Sequence, residues 1–94
     1  MTQMKQEFRG DGTTTKQIKA APKNAVYICH RGLTGYTRDL AKFLNREDLR
    51  IESEYWLADR KYVGLELSGV ILDHYYTPTM REYCCYKEAL ARVR

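Results

Sequence analysis

"GDGTTTKQIKAAPKNAVYICHRG", Gly10 to Gly32, sets a Gly- and Thr-rich segment directly ahead of an apolar one. Its second half contains "AVYIC" (25–29), an uncharged run of β-branched and aromatic residues that follows the punctuation of Pro22 and Asn24. A strand with one wet face would alternate apolar and polar residues, so an unbroken run predicts a strand buried on both faces. The first half, "TTTKQIKAA" (13–21), predicts a short helix that stops before Pro22, because the residue ahead of a proline is pushed out of the helical region. The order is helix, turn, buried strand. Gly10 and Gly12 stand just ahead of the helix, and His30-Arg31-Gly32 just after the strand.

Downstream, "TRDLAKFLNR" (37–46) places Leu40, Phe43 and Leu44 on one face and Arg38, Lys42 and Arg46 elsewhere. That is an amphipathic helix, with Thr37 suited to its N-cap and Asp39 to its first turn. "LRIESEYWL" (49–57) alternates and predicts a strand with one wet face, while "ADRKYVGLELS" (58–68), near the breaks at Gly64 and Gly69, stays undecided. "GVILD" (69–73) is a second unbroken apolar run, with Asp73 where the strand should end. Thr77-Pro78 then reads as a cap followed by a first helical residue. The closing helix should run about four turns, with Met80, Tyr83, Cys84, Leu90 and Ala91 down one face. The fold expected is α/β, a small mainly parallel sheet flanked by helices. In such sheets the crevice outside the strands' carboxyl ends takes the ligand, and here that edge carries His30, Arg31, Asp73, His74 and Tyr75.

With 94 residues the chain is expected to form one domain, 1–94, in which residues 1–9 are an edge strand or a disordered arm. A composition of 44% hydrophobic and 30% charged residues excludes a disordered polyelectrolyte. No apolar run approaches the roughly 18 residues of a bilayer span. "MTQMKQEF" lacks the apolar core of a signal peptide, so no membrane partner and a cytoplasmic location are expected. Cys29, Cys84 and Cys85 are odd in number and two are adjacent, which argues for reduced thiols. The net charge of +4 permits a nucleic-acid partner without demanding one, since the basic residues are scattered along the chain.

A phosphate loop needs glycines where the backbone turns tightly, a helix beginning at once so that its N–H groups point at the anion, and a hydroxyl for magnesium. Gly10 and Gly12 supply the turn, and Thr14 or Thr15 the hydroxyl. On these residues, and on "RKYVGLELSGVILDH" (60–74) with its apolar run ending in Asp, the chain resembles the P-loop NTPases, in particular the ATPase cores of phage terminases and helicases. The likeness spans Gly10 to about Tyr76. It implies a nucleotide site formed by Gly10, Gly12, Thr13, Thr14, Thr15 and Asp73, with Thr14 and Asp73 on magnesium. Two departures limit it: Thr13 stands where the family has lysine and His74 where it has the catalytic Glu. The positive charge on the β- and γ-phosphates and the group that activates water are both replaced. The strand that precedes the loop in the family is represented only by "MKQEF".

The stretch "VGLELSGVILDHYYTPTMREYCCYKEALARVR" (63–94) is similar to the late motifs of helicase-type ATPases of the chromatin-remodelling group, with Arg92 near the arginine-finger position. A third reading places zinc or manganese between His30, Asp73 and His74, beside Cys29. Eight tyrosines, with Tyr75-Tyr76 in tandem, suit either base stacking or the edge of a small core. The function expected from the sequence is a non-enzymatic accessory module of phage or mobile-element type on a degenerate P-loop scaffold, binding a protein or a nucleic acid. The alternative is a nucleotide-binding protein or weak magnesium-dependent NTPase. A truncated sheet leaves an edge open, from which a homodimer is expected.

Overall fold

The computed structural model describes residues 12–93. "MKQEF", residues 1–9 and Gly10, with the expectations attached to them, lie outside the described residues. The elements, in chain order, are α1 (Thr13–Ala20), β1 (Val26–Ile28), a 3₁₀ turn (Arg31–Leu33), α2 (Thr34–Phe43), β2 (Arg50–Glu52), α3 (Glu54–Ala58), β3 (Val70–Leu72) and α4 (Met80–Leu90). The strands form one three-stranded sheet in the order β2-β1-β3, and both pairings are parallel. The α/β class read from the two apolar runs is what the chain adopts.

Period-two alternation along β1 divides the core. Val26 and Ile28 join Val70, Trp56, Leu57, Tyr62, Cys85 and Ala89 on one face of the sheet. Ala25, Tyr27 and Cys29 join Ile18, Ala41, Leu49 and Ile51 on the other. Helices α1 and α2 therefore cover one face, and α3 and α4 the opposite one. Parallel crossovers are right-handed, so stepping from β1 outward to β2 and then back past β1 to β3 puts the two connections on opposite faces. The crevice opens between the carboxyl ends of β1 and β3, where the chain leaves toward different faces.

The α1–β1 turn is held from α2. Asn45, at φ 60°, reverses the chain after α2. Arg46 then reaches the carbonyls of Ile18 (2.8 Å), Lys19 (3.2 Å) and Pro22 (3.3 Å) and pairs with Asp48. The Ile18 and Pro22 carbonyls also accept Ala21 N–H (3.4 Å) and Ala25 N–H (3.1 Å), and the guanidinium adds further bonds to three carbonyls at once, pinning the turn. Gly69 lies so close to this turn that a Cβ would stand 3.0 Å from Pro22 Cγ, which explains a glycine immediately before β3.

Three local expectations are corrected. The strand read over 49–57 ends at Glu52, because the Ser53 hydroxyl accepts the Tyr55 N–H and turns the chain into α3. Helix α2 starts at Thr34, and Thr37 is a wholly buried residue inside it, not its cap. Its inward stripe is Thr37, Leu40, Ala41 and Leu44, which leaves Phe43 on the opposite side and 78% exposed. Helix α4 begins two residues later than Thr77-Pro78 suggested, at a capping box. Glu82 N–H donates to Thr79 Oγ1 (3.1 Å) and Thr79 N–H to Glu82 Oε1 (3.0 Å), which satisfies two orphan donors reciprocally. It buries Cys85 and Ala89, and Met80, Tyr83, Cys84 and Leu90 face outward. None of the described helices is long and apolar enough to cross a membrane.

Candidate functional site

Because all three strands run the same way, β1, β2 and β3 end on one edge, and α1 begins there. Gly12 holds φ 74° as the residue before α1, a left-handed conformation that glycine adopts without a Cβ penalty. Thr13, Thr14 and Thr15 make the first turn. Asp73 follows β3 directly and donates its N–H to Ile28 O at 2.8 Å, which locks the strand end against β1.

The Asp73 carboxylate is 1% exposed and is held by the chain itself. Thr14 Oγ1 donates to Asp73 Oδ1 at 3.1 Å, and the Tyr27 hydroxyl donates to the same oxygen at 2.6 Å. Tyr75 N–H reaches Oδ2 at 3.3 Å. The Tyr27 oxygen also stands 3.2 Å from Gln17 Oε1. It carries a single proton, so the shorter contact to Asp73 is the hydrogen bond. Gln17, one turn after Thr14, donates its amide to Leu72 O (3.0 Å) and accepts His74 N–H (3.0 Å). The structure thus brings together Thr14, Asp73, His74 and Tyr75. The His74 and Tyr75 rings stand 4.1 Å apart on the exposed rim.

His30 belongs to a second group on the same edge, organised by Glu54. Glu54 is buried at the start of α3, and its carboxylate accepts Arg31 N–H (2.8 Å) and pairs with the Arg31 guanidinium. His30 Nε2 lies 3.9 Å from Glu54 Oε2, while Nδ1 accepts Gly32 N–H at 3.1 Å. An Nδ1 that accepts leaves the ring proton on Nε2, facing the carboxylate. Burial pushes the Glu54 carboxyl up. Hydrogen bonds from its own N–H and from Arg31 outweigh that and hold it below its ordinary value. The described residues contain no group of three histidine, cysteine or acidic side chains able to hold a metal ion, so His30, Asp73 and His74 do not converge on one.

Three participants were not legible as site residues: Tyr27, Gln17 and Glu54. A tyrosine inside an unbroken apolar strand was a usable signal, since a buried phenol needs a partner. Gln17 and Glu54 carried none, because their roles depend on which helix face meets which strand end. Compared with known proteins, the chain matches no family model, no curated protein and no solved structure.

Proposed function

We propose that this chain is a non-enzymatic binding module of phage or mobile-element type, working in the host cytoplasm on a degenerate P-loop scaffold and engaging a protein or nucleic-acid partner. The observation that carries this reading is the state of Asp73. The carboxylate that would reach magnesium through water is buried and accepts hydrogen bonds from Thr14, Tyr27 and Tyr75. It works as a clasp between α1, β1 and β3. Thr13 in place of lysine and His74 in place of glutamate remove the two groups that stabilise the phosphates and activate water.

One observation favours the second reading, a nucleotide binder with magnesium. The Thr14 hydroxyl and Asp73 are in contact at the N-terminus of α1, whose first-turn N–H groups suit an anion. Thermal melts with ATP, GTP and ADP, each with and without magnesium, separate the two. The binding-module reading expects an unchanged midpoint at millimolar nucleotide. A magnesium-dependent rise that Asp73→Asn abolishes would establish the second reading instead.

A further inference from the structure

The charge that looks scattered along the sequence is segregated in the fold. From Gly12 to Asp48 there are seven basic and three acidic residues, a net of +4. From Leu49 to Val93 there are six basic and seven acidic, a net of −1. The first segment supplies α1 and α2, which lie together on one face of the sheet, and the second supplies α3 and α4 on the other. The whole positive excess of the described residues therefore belongs to the half of the chain that builds the α1–α2 layer.

Most of these cations are uncommitted. Lys16, Lys19, Lys23 and Lys42 are exposed and make no ion pair among the described residues. Arg38 donates to the carbonyl of Ile51 (3.1 Å) at the outer edge of β2, and Arg38, Lys42 and Arg46 line one hollow of ≈ 290 Å³ between α2 and that strand, with Asp39 and Glu47 also on its wall. Arg46 also touches the carbonyls of Ile18 and Lys19, which places the C-terminal turn of α1, with Lys19, beside this wall. Beside Lys42 stands Phe43, which the packing of α2 turns outward.

We propose that the α1–α2 face binds single-stranded nucleic acid, with Arg38, Lys42 and the α1 lysines along the phosphates and Phe43 as a stacking surface for a base. Charge complementarity selects a polyanion, and the outward phenyl selects one whose bases are unstacked: every base has a π-face, and a duplex hides it. The proposal rests on the binding-module reading and names the class of its partner.

The test is fluorescence anisotropy of the full chain with a labelled mixed-sequence single strand, its duplex, and polyglutamate as competitor, in a salt series. Single-strand binding is expected to weaken with salt at a log–log slope of roughly −2 to −3, the release expected from roughly three or four phosphates. Lys19→Glu/Lys42→Glu should weaken binding and flatten the slope by about 1 to 2. Phe43→Ala should cost about tenfold on the single strand with the slope unchanged. All three positions are exposed, so circular dichroism should show these variants folded. Arg81→Glu, on α4 and exposed on the opposite face, should change little beyond the effect of overall charge. The proposal is overturned by no binding at low salt, by a duplex bound as tightly, by polyglutamate displacing the strand as well as unlabelled strand does, or by Arg81→Glu weakening binding as much as Lys19→Glu/Lys42→Glu. Any of these leaves the binding-module reading standing with a protein partner, because that reading is judged separately by the response to nucleotide and magnesium.

Discussion

Thr14 Oγ1 stands 3.1 Å from Asp73 Oδ1, a hydrogen bond between residues 59 apart that ties the first turn of α1 to the end of β3. With the Tyr27 hydroxyl on the same oxygen, one carboxylate joins a helix and both strands of the crevice.

Asp73→Ala should therefore be costly, since it removes the carboxylate that accepts from Thr14, Tyr27 and Tyr75. About 2 kcal/mol is expected for losing hydrogen bonds to a buried charged group, because the Tyr27 hydroxyl can turn to Gln17 Oε1, 3.2 Å away. Asp73→Asn keeps an acceptor oxygen and should cost about 1 kcal/mol. Urea denaturation of both variants checks this order; an alanine variant as stable as the parent would show that the clasp contributes nothing.

The Glu54 cluster predicts an acid limb. Its carboxyl is held below its ordinary value of 4.5 in the folded state, so the stabilisation is present above that value and lost as pH falls through the folded one. Glu54→Gln should lower stability at neutral pH and flatten the fall below about pH 4.5. Melting temperatures across an acid series read this directly, and parallel curves for the two proteins would contradict it.

Tyrosines set the alkaline limb. Burial, followed by hydrogen bonding to Glu88 and Glu82 respectively, raises the Tyr62 and Tyr76 hydroxyls well above the ordinary value of 10.0. A raised folded value gives stability that is complete below the unfolded value and lost as pH climbs toward the folded one. Stability should drop above about pH 10, and Tyr62→Phe with Tyr76→Phe should soften the drop. Melting temperatures across an alkaline series check this, and parallel curves for the parent and the double variant would contradict it.

Thr37 offers the opposite sign. Its hydroxyl is buried in α2 with no partner among the described residues. Thr37→Val keeps the shape and removes an unsatisfied group, so it should stabilise by about 1 kcal/mol. A loss of stability in denaturant titration would mean that the hydroxyl is satisfied by a buried water.

The two strands of the crevice were legible because "AVYIC" and "GVILD" are unbroken apolar runs, the first wholly buried and the second with Val70 buried and Ile71 and Leu72 half-buried at the sheet edge. The shorter elements were decided by single capping groups that outweighed periodicity. Ser53 converted an alternating stretch into strand then helix, and the Thr79–Glu82 box outweighed Thr77-Pro78. Phe43 and Met80 were misplaced for a different reason: small residues, Ala41 on α2 and Cys85 with Ala89 on α4, sit closest to the sheet and turn the large ones outward. The phosphate-loop resemblance put Thr14 and Asp73 in one site as magnesium ligands, not as each other's hydrogen-bond partners, and Tyr27 as the third member required knowing that β1 lies between them.

On the proposed function Asp73 clasps α1 to β1 and β3 in place of holding a metal–nucleotide. Manganese is paramagnetic and replaces magnesium on phosphates and carboxylates, so amide spectra recorded with manganese and ATP distinguish the two. The predicted result is that the amides of Thr14, His74 and Tyr75 keep their intensity relative to the rest of the domain. Selective broadening of those amides, reversed by excess magnesium, would contradict it.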